Sequence, residues 1–315
     1  MKVLITCPPM LRQLEEFLPL FSEKNLEVIA PNVVQVMTED ELIELVPTVD
    51  AWIIGDDPAT RRVFEAGKAG HLKAAVKWGV GVDNVDFAAC KDLGIPITNT
   101  PQMFGAEVAT IAASYVLGLA RQTYLIDREV RAGGWPKPAG LSLAGCTVAL
   151  VGFGDIGKAT ARFLHAFEMH VNVYDPFAPR TASDEASYHF LTFPEKLETA
   201  DFVVTTCALT PKTRHLINAE TISRMKRGVR IVNVSRGGIV DEAALVAALK
   251  SGHVHSAGLD VFETEPLPMD SELRQFDRCI LGTHNGSNTI QGVRRASHQA
   301  LKSLFQYLEL EEVAV

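Results

Sequence analysis

Short apolar runs alternate with helical patterns along the first hundred residues of the chain. The runs have the length and composition of β-strands, and they cover residues 2–6, 26–30, 51–54, 74–78 and 95–99. Between them, apolar residues recur at helical spacing, for example over residues 38–46 and 62–69. This alternation of strand and helix predicts a mostly parallel sheet with helices packed against it.

A second set of strands follows a long apolar helix, which the pattern predicts over residues 104–121. The dipeptide Thr100-Pro101 separates the two sets. The later strand candidates are residues 202–206, 230–234, 256–259 and 279–281, with a helix predicted over residues 242–250. We therefore expect an α/β fold with two Rossmann-like doubly wound domains.

The last helical pattern covers residues 289–308 and has no strand after it. We expect this helix to cross back to the first domain. That domain then comprises residues 1–100, completed by the C-terminal helix within residues 289–315, and is expected to be flavodoxin-like. The second domain comprises residues 101–288. A ligand is expected in the cleft between two such domains.

A glycine-rich turn lies between a strand pattern that begins near Thr147 and a helical pattern. Its spacing is Gly152-x-Gly154-x-x-Gly157, and Asp175 follows the last glycine by 18 residues. In a dinucleotide-binding fingerprint these glycines allow a tight turn, close approach of a pyrophosphate and close packing of helix on strand, while the carboxylate binds a ribose. In isolation the three glycines are equally compatible with a role in packing alone. The complete order predicts a dinucleotide site.

The composition narrows the class of protein. A chain of 315 residues with 47% hydrophobic and 22% charged residues fits two globular domains. A net charge of −8 offers no overall basic surface, so we expect neither a nucleic-acid partner nor a membrane partner. No apolar run reaches the length of a membrane span or a signal peptide, and we expect a cytoplasmic location.

The cysteines do not indicate a disulfide framework or a zinc site. They are odd in number and lack C-x-x-C spacing, and they are Cys7, Cys90, Cys146, Cys207 and Cys279. His253 and His255 would share a face of a strand, but no third ligand suggests itself, so no metal is expected.

Polar residues follow three of the later strand candidates. Arg236 lies in NVSRGGIVDEAAL, Asp260 and Glu265 lie in GLDVFETEP, and His284 lies in THNGS. Open α/β sheets bind ligands at the carboxyl edge of the strands, where these segments belong. A histidine can move a proton at a reacting oxygen, a carboxylate can hold its ring, and an arginine can grip a carboxylate. Each residue taken alone is equally compatible with a surface loop.

The segments KWGVGVDNVD, NTP, VGFGDIGK, VNVYDP, NVSRGGIVDEAAL, GLDVFETEP and THNGS occur here in one order. In this order the chain resembles the D-isomer-specific 2-hydroxyacid dehydrogenases, including the phosphoglycerate dehydrogenase branch. The resemblance implies an NAD-dependent enzyme that interconverts a D-2-hydroxy acid and its 2-oxo acid. It also implies a homodimer, often built through the cofactor domain and the helix near residues 104–121.

The resemblance assigns roles to particular residues. Arg236 would bind the substrate carboxylate and carbonyl oxygen, Glu265 would orient the histidine, and His284 would be the acid and base. A backbone loop would bind the substrate carboxylate, and it consists of Gly79, Val80 and Gly81. The implied cofactor-binding residues are Gly152, Gly154, Asp155, Ile156, Gly157, Asp175, Cys207, Thr213 and Asp260. Among them Asp175 would select NAD over NADP, and Asp260 would contact the nicotinamide amide.

Three departures from the family pattern leave the substrate open. The chain reads TPQMFGAEVAT where relatives have TPGANS, Cys207-Ala208-Leu209 where a His-x-Pro motif is common, and Thr283-His284-Asn285 where Pro-His-Ile is usual. The substrate is expected to be 3-phosphoglycerate or a related small hydroxy acid. The alternatives are a dinucleotide-sensing, corepressor-like interaction protein and a phosphite-type dehydrogenase on the same scaffold.

Asp56 and Asp57 follow a predicted strand and precede Pro58. We interpret them as a helix N-cap and its solvated neighbour. A second interpretation is that they face the substrate, where they would disfavour a second anionic group such as phosphate.

Overall fold

The computed structural model describes residues 1–310. The final residues of the predicted C-terminal segment, 311–315, lie outside the described part. The chain divides into two units, of which the second is Phe104–Ser287. The first unit consists of Met1–Met103 together with the described residues from Asn288 to residue 310.

The strands occur in two groups. Those of the first unit are β1 (Lys2–Ile5), β2 (Glu27–Ile29), β3 (Ala51–Ile54), β4 (Ala74–Lys77) and β5 (Ile97–Asn99). Those of the second unit are β6 (Thr147–Val151), β7 (His170–Tyr174), β8 (His189–Phe190), β9 (Phe202–Thr205), β10 (Val229–Asn233), β11 (Val254–Leu259) and β12 (Ile280–Leu281).

Most helices lie between consecutive strands, while α1 is followed directly by α2 and α6 by α7. They are α1 (Pro8–Leu11), α2 (Leu14–Glu23), α3 (Glu39–Leu45), α4 (Arg61–Ala69), α5 (Phe87–Leu93), α6 (Gly105–Arg121), α7 (Thr123–Arg131), α8 (Asp155–Ala166), α9 (Ala182–Ser187), α10 (Ala219–Ser223), α11 (Glu242–Ser251) and α12 (Ile290–Tyr307). Within residues 1–310, no helix combines the length and the apolar character needed to cross a bilayer.

The first unit contains a parallel sheet in the order β2-β1-β3-β4-β5. This is the strand order of flavodoxin-like folds. Every residue of β3 and β4 is buried, as expected for central parallel strands that carry helices on both faces. The C-terminal helix α12 packs in this unit, where Trp78 donates a hydrogen bond of 3.1 Å from Nε1 to Ser297 Oγ. The first unit is therefore completed by a helix from the C-terminal part of the chain.

The second unit contains a seven-stranded parallel sheet in the order β12-β11-β10-β9-β6-β7-β8. The order reverses between β6 and β9, which are neighbours in the sheet but distant in the chain. In doubly wound folds this switch point opens a crevice at the carboxyl ends of the strands, where ligands bind. The fingerprint turn follows β6, and the predicted catalytic residues follow β10, β11 and β12. All of these residues thus stand at one edge of the sheet.

Helix α6 lies close against the strands at that edge because small residues face it. A Cβ atom at Gly258 would lie 2.9 Å from the Cβ of Tyr115, and one at Gly282 would lie 2.4 Å from the Tyr115 hydroxyl. Only glycine at these two positions, one in β11 and one just after β12, leaves room for the tyrosine side chain. The close approach places the phenol of Tyr115 beside Asp260, with 3.4 Å between the hydroxyl and Oδ1.

The interpretation of Asp56 and Asp57 as a helix cap and a solvated neighbour is wrong. Thr60 caps α4, since its hydroxyl accepts the Val63 N–H, and Asp57 is completely buried. The Asp57 carboxylate is held by three donors, which are the Thr6 hydroxyl, the Gly55 amide and the Met37 amide. Burial raises the pKa of Asp57, and these donors oppose that effect.

Asp56 instead pairs with a buried lysine at the end of β4. Lys77 Nζ donates to Asp56 Oδ1 at 2.9 Å and to the Gly55 carbonyl at 2.6 Å, and its side chain is only 2% exposed. A buried ammonium is tolerated where it has an ionic partner and hydrogen-bond acceptors. The carboxyl edge of the first sheet therefore carries a polar cluster in which Asp56 compensates the charge of Lys77 and hydrogen-bond donors hold Asp57.

We expect Asp57→Ala to destabilise the protein by about 3 kcal/mol, because it leaves buried donors without their acceptor. Urea denaturation followed by circular dichroism measures this change. Asp92→Ala is the control, since Asp92 pairs with Arg61 at the surface, with both side chains well exposed. Equal and small effects of the two substitutions would contradict a structural role for Asp57.

Candidate active site

The turn after β6 has the backbone geometry of a dinucleotide fingerprint. Gly152 has φ +100°, and a Cβ there would lie 2.6 Å from the Cys207 amide nitrogen. A Cβ at Gly157 would lie 2.2 Å from the Gly152 carbonyl oxygen. A Cβ at Gly154 meets nothing within 4 Å, so this residue faces open space. The first and third glycines are thus required by protein packing, whereas the second leaves room for a ligand.

Helix α8 begins at Asp155, directly after the open glycine, and Ile156 lies in its first turn. The first amide groups of a helix lack partners within the helix, and its N-terminus favours negative charge. A pyrophosphate over Gly154 would meet such amides. The residues present therefore fit a dinucleotide.

Asp175 follows β7 and holds the fingerprint turn from the side. Its Oδ2 accepts the Phe153 N–H at 2.8 Å, and its Oδ1 accepts the amides of Phe177 at 2.9 Å and Ala178 at 3.0 Å. Each carboxylate oxygen has two lone pairs, so these three bonds leave one acceptor position, on Oδ2, for a ribose hydroxyl. The chain thus places a rigid carboxylate beside the glycine turn.

Cys207 and Thr213 lie on the loop after β9. The Cys207 backbone packs on Gly152, and burial raises the pKa of its thiol to about 11. Thr213 Oγ1 donates to the Ala208 carbonyl at 2.7 Å and accepts the Thr210 amide at 2.7 Å. The threonine therefore stabilises a turn at the rim of the same edge.

Arg236 lies on the loop after β10 and is half-buried. The Asn233 side chain donates to the Arg236 carbonyl at 2.9 Å, and Arg236 Nη1 donates to the Ser235 carbonyl at 2.9 Å. A Cβ at the next residue, Gly237, would lie 1.9 Å from the carbonyl of Phe262. The absence of a side chain at Gly237 thus lets the arginine loop pack directly on the loop that carries Glu265.

The central contact of the site joins Glu265 and His284. Glu265 Oε2 lies 2.7 Å from His284 Nδ1, and both side chains are 20% exposed. The other carboxylate oxygen, Oε1, accepts the Phe262 N–H at 2.9 Å. Because Nδ1 faces the carboxylate, Nε2 on the opposite side of the ring points away from it. A carboxylate in this position fixes the orientation and the tautomer of the ring.

Asp260 shapes the backbone around the histidine. Its carboxylate accepts the amides of Asn285 at 3.1 Å and Gly286 at 2.8 Å, and its carbonyl accepts the His284 N–H at 2.6 Å. His284 itself has φ +54°, a backbone conformation that requires such support. Burial, followed by the nearby Asp260 charge, raises the pKa of Tyr115.

The predicted carboxylate-binding loop belongs to the first unit and follows β4. Gly79 has φ +124°, and its N–H donates to Thr100 Oγ1 at 2.8 Å, while the Asn99 side chain donates to the Val80 carbonyl at 3.2 Å. The Gly79 amide therefore orders the loop. Anion binding by this loop would fall to the amides that follow, those of Val80 and Gly81.

The two histidines at residues 253 and 255 have other partners. His253 Nε2 lies 3.1 Å from the Met225 carbonyl oxygen, and His255 Nδ1 lies 3.0 Å from Ser256 Oγ. Across the described residues 1–310, no group of three or more His, Cys, Asp or Glu side chains has the arrangement of a metal site.

Three further side chains adjoin the site, and the sequence did not single them out. Glu242, in the first turn of α11, accepts the Glu263 N–H at 2.6 Å through Oε1. His215 Nε2 lies 2.7 Å from Glu263 Oε1. The sequence signal for Glu242 was an acidic residue at the start of a helix, which also occurs in helices without any functional site.

An imidazole held by a carboxylate can transfer a proton, and the turn after β6 can hold a dinucleotide at the same edge of the sheet. These two features on one Rossmann sheet define a nicotinamide-dependent dehydrogenase. Comparison with known proteins identifies the family of dehydrogenases. The family model "D-isomer specific 2-hydroxyacid dehydrogenase, NAD binding domain" matches residues 113–286. The chain belongs to the D-isomer-specific 2-hydroxyacid dehydrogenase family, and it is an NAD-dependent oxidoreductase.

Individual relatives agree with this assignment. A hydroxypyruvate reductase of Thermotoga maritima is 36% identical over 295 residues, which cover 92% of this chain and 93% of that protein. The chloroplastic D-3-phosphoglycerate dehydrogenase 2 of Arabidopsis thaliana is 39% identical over 256 residues, which cover 80% of this chain but only 41% of that protein. The crystal structure of a formate dehydrogenase from Staphylococcus aureus in complex with NAD has a TM-score of 0.86, with 25% identity and coverage of 100% and 97%.

The two glycines of the turn give a testable contrast. We expect Gly157→Ala to destabilise the protein by about 2 kcal/mol or more, because its Cβ meets backbone. Gly154→Ala should fold normally but bind NADH about tenfold more weakly, because its methyl group fills the ligand face. Thermal denaturation and NADH fluorescence titration separate the two effects. Normal NADH affinity in Gly154→Ala would argue against a pyrophosphate at this position.

Proposed function

We propose that the protein interconverts a small D-2-hydroxy acid and its 2-oxo acid, with Arg236, Glu265 and His284 as the catalytic residues. The observation that supports this most directly is the 2.7 Å contact between Glu265 Oε2 and His284 Nδ1. It gives the imidazole a charged partner on one side and directs the other ring nitrogen away from that partner. This is the arrangement that a general acid and base requires.

His284 acts on the oxygen of the substrate. In reduction, the imidazolium donates its Nε2 proton to the carbonyl oxygen as that oxygen gains negative charge, and Glu265 stabilises the imidazolium beforehand. In oxidation, the neutral ring takes the proton from the hydroxyl group. NAD, when bound, supplies or accepts the hydride.

Arg236 binds and orients the substrate. A guanidinium presents a planar set of donors that matches a carboxylate, and one edge can also contact the adjacent carbonyl oxygen. The packing of Gly237 on Phe262 keeps the arginine loop in register with the loop of Glu265. In the first unit, we propose that the loop of Gly79, Val80 and Gly81 contributes backbone donors to the substrate carboxylate.

The cofactor is held by the turn after β6 and by the residues around it. The proposed contacts are Gly154, Asp155 and Ile156 for the pyrophosphate, with Gly152 and Gly157 shaping the turn that holds it, Asp175 for the adenosine ribose, and Cys207, Thr213 and Asp260 for the rest of the molecule. A carboxylate accepts the hydroxyls of a ribose but repels a 2′-phosphate, which supports the preference for NAD.

For the substrate we propose a 2-oxo acid with an uncharged side chain, of which hydroxypyruvate is the simplest candidate. The Thermotoga hydroxypyruvate reductase matches nearly its whole length. The buried lysine below the predicted substrate loop is compensated by Asp56, with 2.9 Å between Nζ and Oδ1, so it offers little net positive charge to a phosphate. The second candidate is 3-phosphoglycerate, because the Arabidopsis phosphoglycerate dehydrogenase is 39% identical.

We also propose a homodimer formed through the second unit. Helix α7 has no buried side chain, and Tyr124 and Val130 on it are more than 40% exposed. Trp135, just beyond the helix, is 78% exposed. Large apolar side chains at the surface mark interaction sites, and a second copy of this chain is the simplest partner. A cytoplasmic location remains a prediction from the sequence.

The catalytic assignment is tested by NADH oxidation with hydroxypyruvate, glyoxylate, phosphohydroxypyruvate and longer 2-oxo acids. We expect hydroxypyruvate to be preferred, and His284→Gln and Arg236→Ala to lower kcat/KM by about 100-fold or more. Glu265→Gln should lower it by about tenfold and alter the pH profile, because the imidazolium loses its charged partner.

The control for these variants is their affinity for NADH, which should remain that of the unsubstituted protein. Near wild-type turnover in His284→Gln or Arg236→Ala would remove the proposed roles. Binding of NADH without turnover of any acid would favour the dinucleotide sensor. Oxidation of phosphite in place of the acids would favour the phosphite-type dehydrogenase.

The dimer is tested by sedimentation velocity. We expect Trp135→Ala to shift the protein towards a monomer at micromolar concentration, because it removes a large apolar side chain from the interface. Met269→Ala is the matched control, since Met269 is 86% exposed in the same unit but distant in sequence from α7. A monomeric unsubstituted protein, or identical behaviour of both variants, would count against this interface.

A further inference from the structure

The position of Glu265 depends on a short turn that follows β11. The turn comprises residues 262–265, and the Phe262 N–H closes it by donating to Glu265 Oε1 at 2.9 Å. Glu265 thereby uses one carboxylate oxygen to hold its own turn and the other to contact His284. A displacement of the turn backbone would move both oxygens together. Whatever fixes this turn therefore controls the distance between carboxylate and imidazole.

Glu242 reaches this turn from a separate element. It occupies the first turn of α11 and is half-buried, and its Oε1 accepts the Glu263 N–H at 2.6 Å. The Glu263 amide lies within the turn, between the closing donor Phe262 and Glu265. A charged acceptor makes the stronger kind of hydrogen bond to a backbone amide.

The start of α11 is itself well anchored. The Asp241 side chain caps the helix by accepting the Ala244 N–H at 3.0 Å, and the Asp241 N–H donates to the Ile217 carbonyl at 2.8 Å. Glu242 is thus attached to a capped helix end that a backbone hydrogen bond ties to Ile217. It transmits the position of α11 to the turn of Glu265.

The surroundings of Glu242 disfavour the charged form of its carboxylate. Burial raises the pKa of Glu242, and the nearby carboxylates of Glu263 and Glu265 act in the same direction. The hydrogen bond from the Glu263 amide opposes them. His215 provides a cationic group when protonated, with its Nε2 at 2.7 Å from Glu263 Oε1. A half-buried carboxylate beside two other carboxylates is unfavourable unless hydrogen bonds stabilise it, and the Glu263 amide donates such a bond to Glu242.

We propose that Glu242 is a positioning residue for the reaction. By holding the Glu263 amide, it keeps the turn of residues 262–265 in the geometry that brings Glu265 into contact with His284. The proposal rests on the proposed roles of Glu265 and His284. Glu242 acts through the turn and does not touch the substrate.

The test compares two substitutions at this position. Glu242→Gln keeps an oxygen that can accept the Glu263 N–H, whereas Glu242→Ala removes it. We expect Glu242→Ala to lower kcat/KM for the best 2-oxo acid by about tenfold. The alkaline limb of its pH profile should move to lower pH, because a misplaced Glu265 stabilises the imidazolium less. Glu242→Gln should remain within about threefold of the unsubstituted enzyme.

The matched control is Glu220→Ala, which removes an exposed acidic residue from the first turn of α10 in the same unit. It should leave the rate and the pH profile unchanged. All variants are compared at equal folded fraction, established by their melting temperatures and their NADH affinity.

Several outcomes would overturn the role of Glu242 alone. They are an unchanged pH profile in Glu242→Ala, a loss in Glu242→Gln as large as that in Glu242→Ala, and an equal loss in Glu220→Ala. Retained turnover in His284→Gln, measured in the same assay, would instead overturn the proposed function on which this inference rests.

Discussion

Parallel pairing of the strands is the constraint on which the site depends. In the second unit it brings the carboxyl ends of β6, β10, β11 and β12 to one edge, although the residues that follow them are far apart in the chain. Glycine and hydrogen bonds then complete the arrangement. Gly237 lets one loop pack on the next, and the Asp260 carboxylate shapes the turn that presents His284. The sheet thus provides proximity, and the loops provide orientation.

Local patterns predicted the parts of this structure that local forces determine. The fingerprint glycines, the strand runs and the long helix α6 were all visible, because spacing along the chain reports turn geometry and burial directly. The two-residue strand β8 was too short to show a periodicity. Helix α7 was missed because its nine residues are too few for a helical period to stand out from the pattern around it.

Contacts across the sheet could not be predicted in this way. Asp57 looked like a solvated loop residue because its partners Thr6 and Met37 are 51 and 20 residues away. Glu242 and Glu263 meet only because α11 and the loop after β11 return to the same edge. Such pairs follow from strand order, and a single sequence does not specify which polar residues the order will bring together.

The loop after β4 is ordered by its own hydrogen bonds, and this order affects the free energy of ligand binding. Gly79 and Thr100 exchange two hydrogen bonds, since the Gly79 N–H donates to the threonine hydroxyl and the Thr100 N–H donates to the glycine carbonyl at 3.2 Å. The neighbouring strand has therefore already restricted this segment. If this loop binds the substrate carboxylate as proposed, the protein loses little conformational entropy on binding, which favours retention of even a compact molecule with few atoms.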